Sequence, residues 1–405
     1  MKIEVRLAKP EEMEEFRRVA MTALVISPEK MPPEVIHMIH PEMTLCAFVD
    51  GKLATSYAVW PLTMYMNRSS TPVAGITFVG TLPIYRHQGC LRQVITKHFE
   101  RLHEQNGQCI AALYASQAAI YQRYGYAVVS TLNTYHIEPR FLQFAPGQQL
   151  LGQKGKLREG EDDEVDVFMD LYGQFCASRT GYIYRARGRW ENAMLRQPPK
   201  GHVLGKIIYL EDGKPLGYVV YTVEPQKVAF GQPWQHIYIR DLVWLTPNAY
   251  STLWDYFSGM DIVSDIFWSR VPSDDPLPHL LLEPRMLNVN ERDGLLARIV
   301  DVKALTQRQY SSDGELVFDV IDGLCPWNNG RWRLETSGDK ATVGKTKKKA
   351  EMVIPVDTLA MILFGQINVA EAARMGRLEV LKNEALSKWD RLFKTEYRPF
   401  CADLF

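Results

Sequence analysis

Apolar and charged residues alternate through Ile3-Glu4-Val5-Arg6-Leu7, the signature of a short strand. The period then changes. Met13, Phe16, Val19, Ala20 and Ala23 recur at helical spacing, which predicts a helix from Lys9 to about Leu24. Pro10 suits its first turn, and Glu11, Glu12 and Glu14 suit its positive end. Residues 27–44 hold Pro28, Pro32, Pro33 and Pro41, so no single clean helix forms there and a mobile flap with short helical pieces is expected. Leu45–Val49 and Leu53–Leu62 flank Asp50-Gly51, a strong hairpin signal. Val73–Thr81 reads as a strand and Gln88–Gln105 as a long amphipathic helix with Leu91, Val94, Ile95, His98, Phe99 and Leu102 inward. Cys109–Tyr114 reads as a buried strand, Ala118–Arg123 as a short helix and Gly125–Val129 as a further strand. Hairpins followed by a βαβ unit make a mixed α/β domain, assigned to 1–152.

Residues 153–165 are polar and Gly-rich and read as a surface connection. The pattern beyond them echoes the first. Asp50-Gly51-Lys52 recurs as Asp212-Gly213-Lys214, and Phe78–Pro83 is echoed by Leu242–Pro247. The step from Asp to Pro is 33 residues in one copy and 35 in the other, and a helix follows both. This order predicts a duplicated domain over 153–286. A third α+β region, 287–405, has strands at Leu296–Val300, Gly314–Ile321 and Arg331–Glu335. A hairpin from Cys325 to Trp332 turns at Asn328-Asn329-Gly330, and helices lie on either side of Gly365. Lys345–Lys349 reads as a solvated loop.

Composition narrows the class. The 405 residues hold 47 Lys and Arg against 47 Asp and Glu, which argues against the basic surface that nonspecific nucleic-acid binding needs. No 18 consecutive residues stay apolar and Met1–Phe16 contain no apolar h-region, so neither a membrane span nor a signal peptide is expected. Cys46, Cys90, Cys109, Cys176, Cys325 and Cys401 show no CxxC pair. A cytoplasmic protein with buried, reduced thiols is the expectation.

The richest chemistry lies in Phe78–Arg92, FVGTLPIYRHQGCLR. A strand ends at Thr81, and Arg86-His87-Gln88-Gly89 leads into a helix. The first N–H groups of a helix lack intrahelical partners and carry its positive end, and Gly89 removes the side chain where a phosphate must come close. Two other patterns fail on context. Gly338–Thr346 has five residues between its glycines where a nucleotide-binding P-loop has four, with no helix at the right place. His37, His40 and Glu42 lack a third ligand at a fitting spacing, so no metal is expected.

Strand, cradle, long helix, strand and then Tyr121-Gln122-Arg123-Tyr124-Gly125-Tyr126 come in an order that resembles the GNAT acyl-CoA N-acyltransferase superfamily. Arg86, two residues, then Gly89 match its signature, whereas Leu91 stands where Gly or Ala is usual. Leu91 itself, with Ala115–Tyr121, is similar to the Eis (enhanced intracellular survival) branch. So are Asp293–Val302, Cys325–Gly330 and the Asp403-Leu404-Phe405 ending. The resemblance covers nearly the whole chain. It implies two tandem acetyltransferase folds and a sterol-carrier-protein-like third domain, with acetyl-CoA as co-substrate.

The resemblance also implies roles. Tyr121 would return a proton to the CoA sulfur, and the Phe405 carboxylate would take one from the amine, which requires the C-terminus to fold back into the first domain. A phenol with pKa about 10 can donate at neutral pH, whereas an α-carboxylate near about 3.5 is a weak base unless its surroundings tune it. The backbone of Val79, Gly80 and Thr81 would hold the pantetheine, and His87, Gln88, Gly89, Cys90, Leu91 and Arg92 the pyrophosphate. Ser116 and Gln117 would lie near the thiol, with Arg86 or Arg92 adding charge. Only the first copy should bind cofactor, because Pro247 is followed by no Arg-x-x-Gly turn. Primary amines, including aminoglycosides, would be acceptors, with polyamines and protein lysines open. Glu29, Glu34 and Glu42 are candidate pocket walls, and a homo-oligomer, a hexamer by resemblance, is implied. The alternative is a lipid-binding or CoA-sensing regulator without turnover.

Overall fold

Asp50 and Gly51 both take positive φ, 47° and 79°, between paired Val49 and Lys52. This turn matches the twist of its strands and needs residues that tolerate a left-handed backbone. Asp212-Gly213 repeats it at 50° and 77° between Glu211 and Lys214. These elements come from a computed structural model that describes residues 2–27, 38–146, 155–226 and 234–405.

Residues up to 129 supply strands β1 (Ile3–Arg6), β2 (Cys46–Val49), β3 (Lys52–Met66), β4 (Ser69–Thr81), β5 (Ile110–Leu113) and β6 (Ala127–Val128), and helices α1 (Met13–Leu24), α2 (Cys90–Gln105) and α3 (Ala118–Gln122). Residues 130–294 supply β7 (Thr131–Ile137), β8 (Gly155–Glu159), β9 (Thr180–Ile183), β10 (Val203–Glu211), β11 (Lys214–Pro225), β12 (Gln235–Trp244), β13 (Val263–Pro272) and β14 (Asn290–Asp293), with α4 (Val165–Cys176) and α5 (Pro247–Ser258). The remainder supplies β15 (Leu296–Ile299), β16 (Gly314–Ile321), β17 (Gly330–Ser337), β18 (Lys340–Lys345), β19 (Met352–Pro355) and β20 (Glu379–Val380), with α6 (Val356–Phe364), α7 (Val369–Arg374) and α8 (Ala385–Phe393). Packing gathers residues 1–129, 295–395 and 403–405 into one compact unit, and 130–294 with 396–402 into a second.

In the first unit one sheet runs β1-β2-β3-β4-β5-β15-β6, antiparallel except for β4 beside β5. Both faces are covered. Phe48 meets Phe16 and Val19 of α1, while Ala47 and Val49 meet Val94, Ile95 and Phe99 of α2. The α1 segment opens as a tight 3-10 turn at Pro10–Glu12, so the α-helix starts at Met13 rather than Lys9. The β3–β4 hairpin is longer than the apolar pattern suggests. It turns at Asn67-Arg68, with φ of 44° and 73°.

Leu296–Ile299 does not join the strands of the third region. It pairs with β5 on one side and β6 on the other. β5 is buried along its whole length, so both of its edges need strand partners. The third region has its own sheet, β18-β17-β16-β19-β20, covered in part by Trp389 of α8 against Phe318. Here Asn328-Asn329-Gly330 is not a tight hairpin turn. A 3-10 turn spans Pro326–Asn328, and Asn328 is fully buried with its side chain bonded to Val302 N, Val300 O and Asp322. Gly338 lies in the β17–β18 turn, in keeping with the rejected P-loop.

The second unit has a sheet in the order β14-β7-β13-β12-β11-β10-β8, with β12 and β13 parallel. Tyr250, Leu253, Trp254 and Phe257 of α5 pack into its core, and Phe168 of α4 meets Tyr218. The polar stretch expected as a connection contains β8, an edge strand paired with β10. An edge can carry Lys156 and Arg158 outward, which hides it from an apolar pattern. Within this unit residues 396–402 are held firmly. Phe400 N donates to Thr180 O at 2.9 Å, and Arg270 donates to the carbonyls of Cys401 and Ala402 at 2.8 Å each. Gly181, at φ 99°, leaves no room for a Cβ against the Phe400 carbonyl.

All six cysteines are buried free thiols. Among the described residues no helix is long and apolar enough to cross a membrane. Most of the proline-rich flap, 28–37, lies outside the described residues, with Glu29, Glu34 and His37 in it. Glu42 is exposed in the short turn Pro41–Met43.

Candidate active site

β4 and β5 pair only from Val73 opposite Ile110 to Ile76 opposite Leu113. β4 then runs on to Thr81 while the other chain turns away, so a cleft opens between them. The divergence coincides with a bulge. Opposite β3, Ala58 faces Thr77 and Ser56 faces Gly80, which leaves an extra residue on β4, and Phe78 takes φ 49°. Bulges re-aim a strand at such places. Thr81 is tied to Thr55 by a 2.9 Å hydroxyl contact, and Gly80 O accepts from Ser56 Oγ at 3.3 Å. Gly80 has to be glycine for packing, because a Cβ there would lie 2.6 Å from Cβ of Ala23 in α1.

The chain enters α2 through Arg86–Gly89. His87 and Gly89 both take positive φ, 62° and 82°, and a Cβ on Gly89 would meet nothing within 4 Å. Gly89 caps the helix without any side-chain hydrogen bond. The leading N–H groups of a 16-residue helix therefore face an open cleft. The duplicated copy is built differently. There α5 starts at Pro247, and Thr246 Oγ accepts from Ala249 N at 3.2 Å, so a side chain of the protein already satisfies the helix start.

The cleft measures about 920 Å³. It brings together Val79, Gly80, Thr81, Arg86, His87, Gly89, Cys90, Leu91, Arg92, Ser116, Gln117 and Tyr121. Gln88 is not part of its lining, and its amide donates instead to Ile84 O at 3.0 Å. Arg86 braces the floor by donating to Thr81 O and Ala23 O. Burial pushes the Cys90 thiol above its usual range, so that residue offers backbone rather than a nucleophile. Arg86, Arg92 and Arg123 make the cleft cationic, and among the described residues its one carboxylate, Asp322, is already paired with Arg298. Such a lining suits a polyanion.

Tyr121 lies in α3, which ends in a left-handed cap. Gly125, at φ 79°, donates to Gln122 O at 2.9 Å, and Tyr126 N reaches Tyr121 O at 3.4 Å. These are the two bonds of a Schellman closure, and the Tyr121-x-x-x-Gly125-Tyr126 spacing is what it requires. Tyr121 is 7% exposed, and desolvation, then the neighbouring Tyr124, push its phenol up to about 12. Its proton stays on through the neutral range. Phe405 is not in the cleft lining. Its ring packs 5.5 Å from that of Tyr114, next after β5, and also lies against Gly75 of β4. The terminus thus sits where β4 and β5 are still side by side. The sequence reading missed Ala23, Leu24, Tyr124, Gly125, Asp322–Leu324 and Val356, all of which line the cleft.

Residues 4–129 and again 181–299 match the acetyltransferase (GNAT) domain, and 302–402 match the sterol carrier protein domain. N-acetyltransferase Eis of Mycobacterium tuberculosis is 29% identical over 335 residues, 80% of this chain and 79% of that one.

The chain is an Eis-like GNAT acetyltransferase.

An uncharacterized N-acetyltransferase of Streptomyces avermitilis is 28% identical over 100% of this chain and 99% of its own. The crystal structure of Eis1 from Mycobacterium abscessus superposes with a TM-score of 0.80 at 27% identity, covering 99% and 100% of the two chains. A GCN5-related N-acetyltransferase from Anabaena variabilis gives 0.85 at 24% identity over the full length of both, which bears on the fold alone. Two GNAT folds and a sterol-carrier-like domain are therefore established for this enzyme, an N-acetyltransferase. GNAT acetyltransferases take acetyl-CoA as co-substrate.

Proposed function

We propose that this Eis-like enzyme acetylates primary amines of aminoglycoside type in the cleft between β4 and β5, with Tyr121 as general acid and the Phe405 carboxylate as general base. The observation that carries the reading is the convergence of an open, glycine-started helix and a buried phenol in one cleft. Gly89 with Arg86, His87, Cys90, Leu91 and Arg92 would hold the pyrophosphate, the strand end Val79–Thr81 the pantetheine, and Ser116 and Gln117 the arm near the thiol. The acyl donor supplies an activated carbonyl. The amine nitrogen forms the new C–N bond as the C–S bond breaks. The sulfur takes the Tyr121 proton, and the carboxylate takes the ammonium proton directly or through water. A phenol at about 12 stays protonated until the thiolate appears.

The second GNAT copy is read as structural, because Thr246 fills the role a phosphate would play at its helix start. Along the sequence the three fold segments are read as 1–152, 153–286 and 287–405, although 130–146 and 287–294 pack in the second compact unit. Resemblance to the Eis branch supports aminoglycosides ahead of polyamines or protein lysines, a cytoplasmic location, and assembly as a hexamer.

The test is thiol release from acetyl-CoA with N-terminally tagged protein and a panel of aminoglycosides, polyamines and lysine peptides. Release with aminoglycosides is the expected result. Release only with another amine class replaces the acceptor. CoA binding without release for any amine overturns the catalytic reading.

A further inference from the structure

The cofactor cleft of the first GNAT fold is not closed by that fold alone. Asp322, Gly323 and Leu324 line it, and they belong to the loop between β16 and β17, within the segment that matches the sterol carrier protein domain. Val356, the first residue of α6, joins them. We infer that this loop is a working wall of the acetyl-CoA site, so that the sterol-carrier-like region serves cofactor binding in this enzyme. The inference rests on the reading of the cleft as the acetyl-CoA site.

The loop is built rigidly. Asp322 is buried, and both its carboxylate oxygens accept from Arg298, at 2.7 and 2.8 Å. The same carboxylate takes Leu324 N and Cys325 N at 3.0 Å each and the Asn328 amide at 2.8 Å. Asn329 completes the frame by exchanging hydrogen bonds with the Asp322 backbone, at 2.7 and 2.8 Å. With so many donors on it, the Asp322 charge is compensated and does not repel a polyanion.

Arg298 joins this loop to the Gly125 turn of the same lining. It is fully buried in β15, with its guanidinium 5.3 Å from the Phe99 ring of α2. A Cβ on Gly125, another residue of the lining, would lie 3.0 Å from its Cζ. Nε and Nη1 of Arg298 have no hydrogen-bond partner among the described residues, although the group is buried. A buried guanidinium left half-used is costly, and here it links the Asp322 loop to the Gly125 turn within one lining.

Gly323 allows a clean test. A Cβ there meets nothing within 4 Å and its backbone is not left-handed, so a large side chain enters the open cleft without straining the fold. CoA binding is measured by calorimetry on the full chain for wild type, Gly89→Val, Gly323→Trp and Leu324→Ala, with thermal melting of each. The inference expects Gly323→Trp to melt like wild type and to bind CoA at least about tenfold more weakly, roughly 1.4 kcal/mol. Leu324→Ala should weaken binding severalfold. Wild-type affinity in folded Gly323→Trp, or in folded Leu324→Ala should the tryptophan variant not fold, overturns the inference while leaving the cleft reading intact. No CoA binding by wild type, or full affinity in Gly89→Val, overturns the cleft reading and this inference with it.

Discussion

The backbone N–H of Tyr126 reaches the carbonyl of Tyr121 at 3.4 Å, and the two rings meet edge to face with centroids 5.9 Å apart. Backbone closure and ring contact together fix the phenol that lines the cleft. Gly125 makes both possible through its φ of 79° and its lack of a side chain against Arg298. Gly125→Ala is therefore expected to cost at least about 2 kcal/mol from the left-handed backbone and the overpacking. A displaced Tyr121 should also lower kcat. Wild-type melting and kcat in this variant would remove the closure from its role.

Tyr121→Phe keeps the ring contact with Tyr126 and deletes only the hydroxyl. CoA affinity should stay at the wild-type value and kcat should fall about 10²- to 10⁴-fold. The pH profile carries a sign. Burial disfavours the charged phenolate and raises the phenol to about 12, so the acid form persists well above its ordinary range near 10. The wild-type rate should therefore show no loss assignable to this acid below about pH 10. A fall in kcat with an apparent pKa near neutrality that disappears in Tyr121→Phe would contradict this.

The terminal carboxylate is tested by moving it. One Gly appended after Phe405 shifts the charge by about 3.5 Å while the Phe405 ring keeps its place on Tyr114. Misplacement of a reacting group by about 1 Å can cost about 10²-fold, so kcat should drop at least that far with CoA affinity unchanged. An extended enzyme at the wild-type rate would mean that another group accepts the amine proton.

Local features were legible from the sequence where local chemistry decides them. Both Asp-Gly turns, the inward face of α2 and the glycine start of that helix follow from residue type and spacing. Asn67-Arg68 turns equally tightly but lacks glycine, so nothing in the pattern marks it. β8 was hidden because an edge strand can be charged. The four apolar residues of β15 announce a strand but not its neighbours, since strand pairing depends on contacts distant in sequence. Asn328-Asn329-Gly330 has turn propensity, and only the fold shows Asn328 as a buried bracket. The Arg298–Asp322 pair and its reach to Gly125 were invisible for the same reason. The motif around Tyr121 was legible, whereas the Asp322–Leu324 part of the lining was not.

Acid stability offers a last test, set by two buried groups in different compact units. His98 of α2 sits in the core with Nδ1 2.8 Å from the Tyr57 hydroxyl, and burial, then the charge of Arg101, push it down to about 3. An unfolded histidine takes up a proton below about 6.5, so between that pH and 3 the unfolded chain binds more protons and stability falls as pH falls. Asp275 of the other unit has the opposite sign. It accepts from Tyr135 and Tyr250, yet burial raises it to about 7. Its folded form holds a proton that the unfolded form releases above 3.8, so it adds stability as pH falls from 7 towards 4. Glu12, held down to about 2 by Arg6, matters only below its unfolded value of 4.5. Denaturant unfolding at pH 7 and pH 5 should therefore show His98→Asn losing about 2 kcal/mol less than wild type over that interval. Asp275→Asn should lose more than wild type. The assignment of His98 fails if its variant keeps the wild-type pH dependence, and that of Asp275 fails if its variant does.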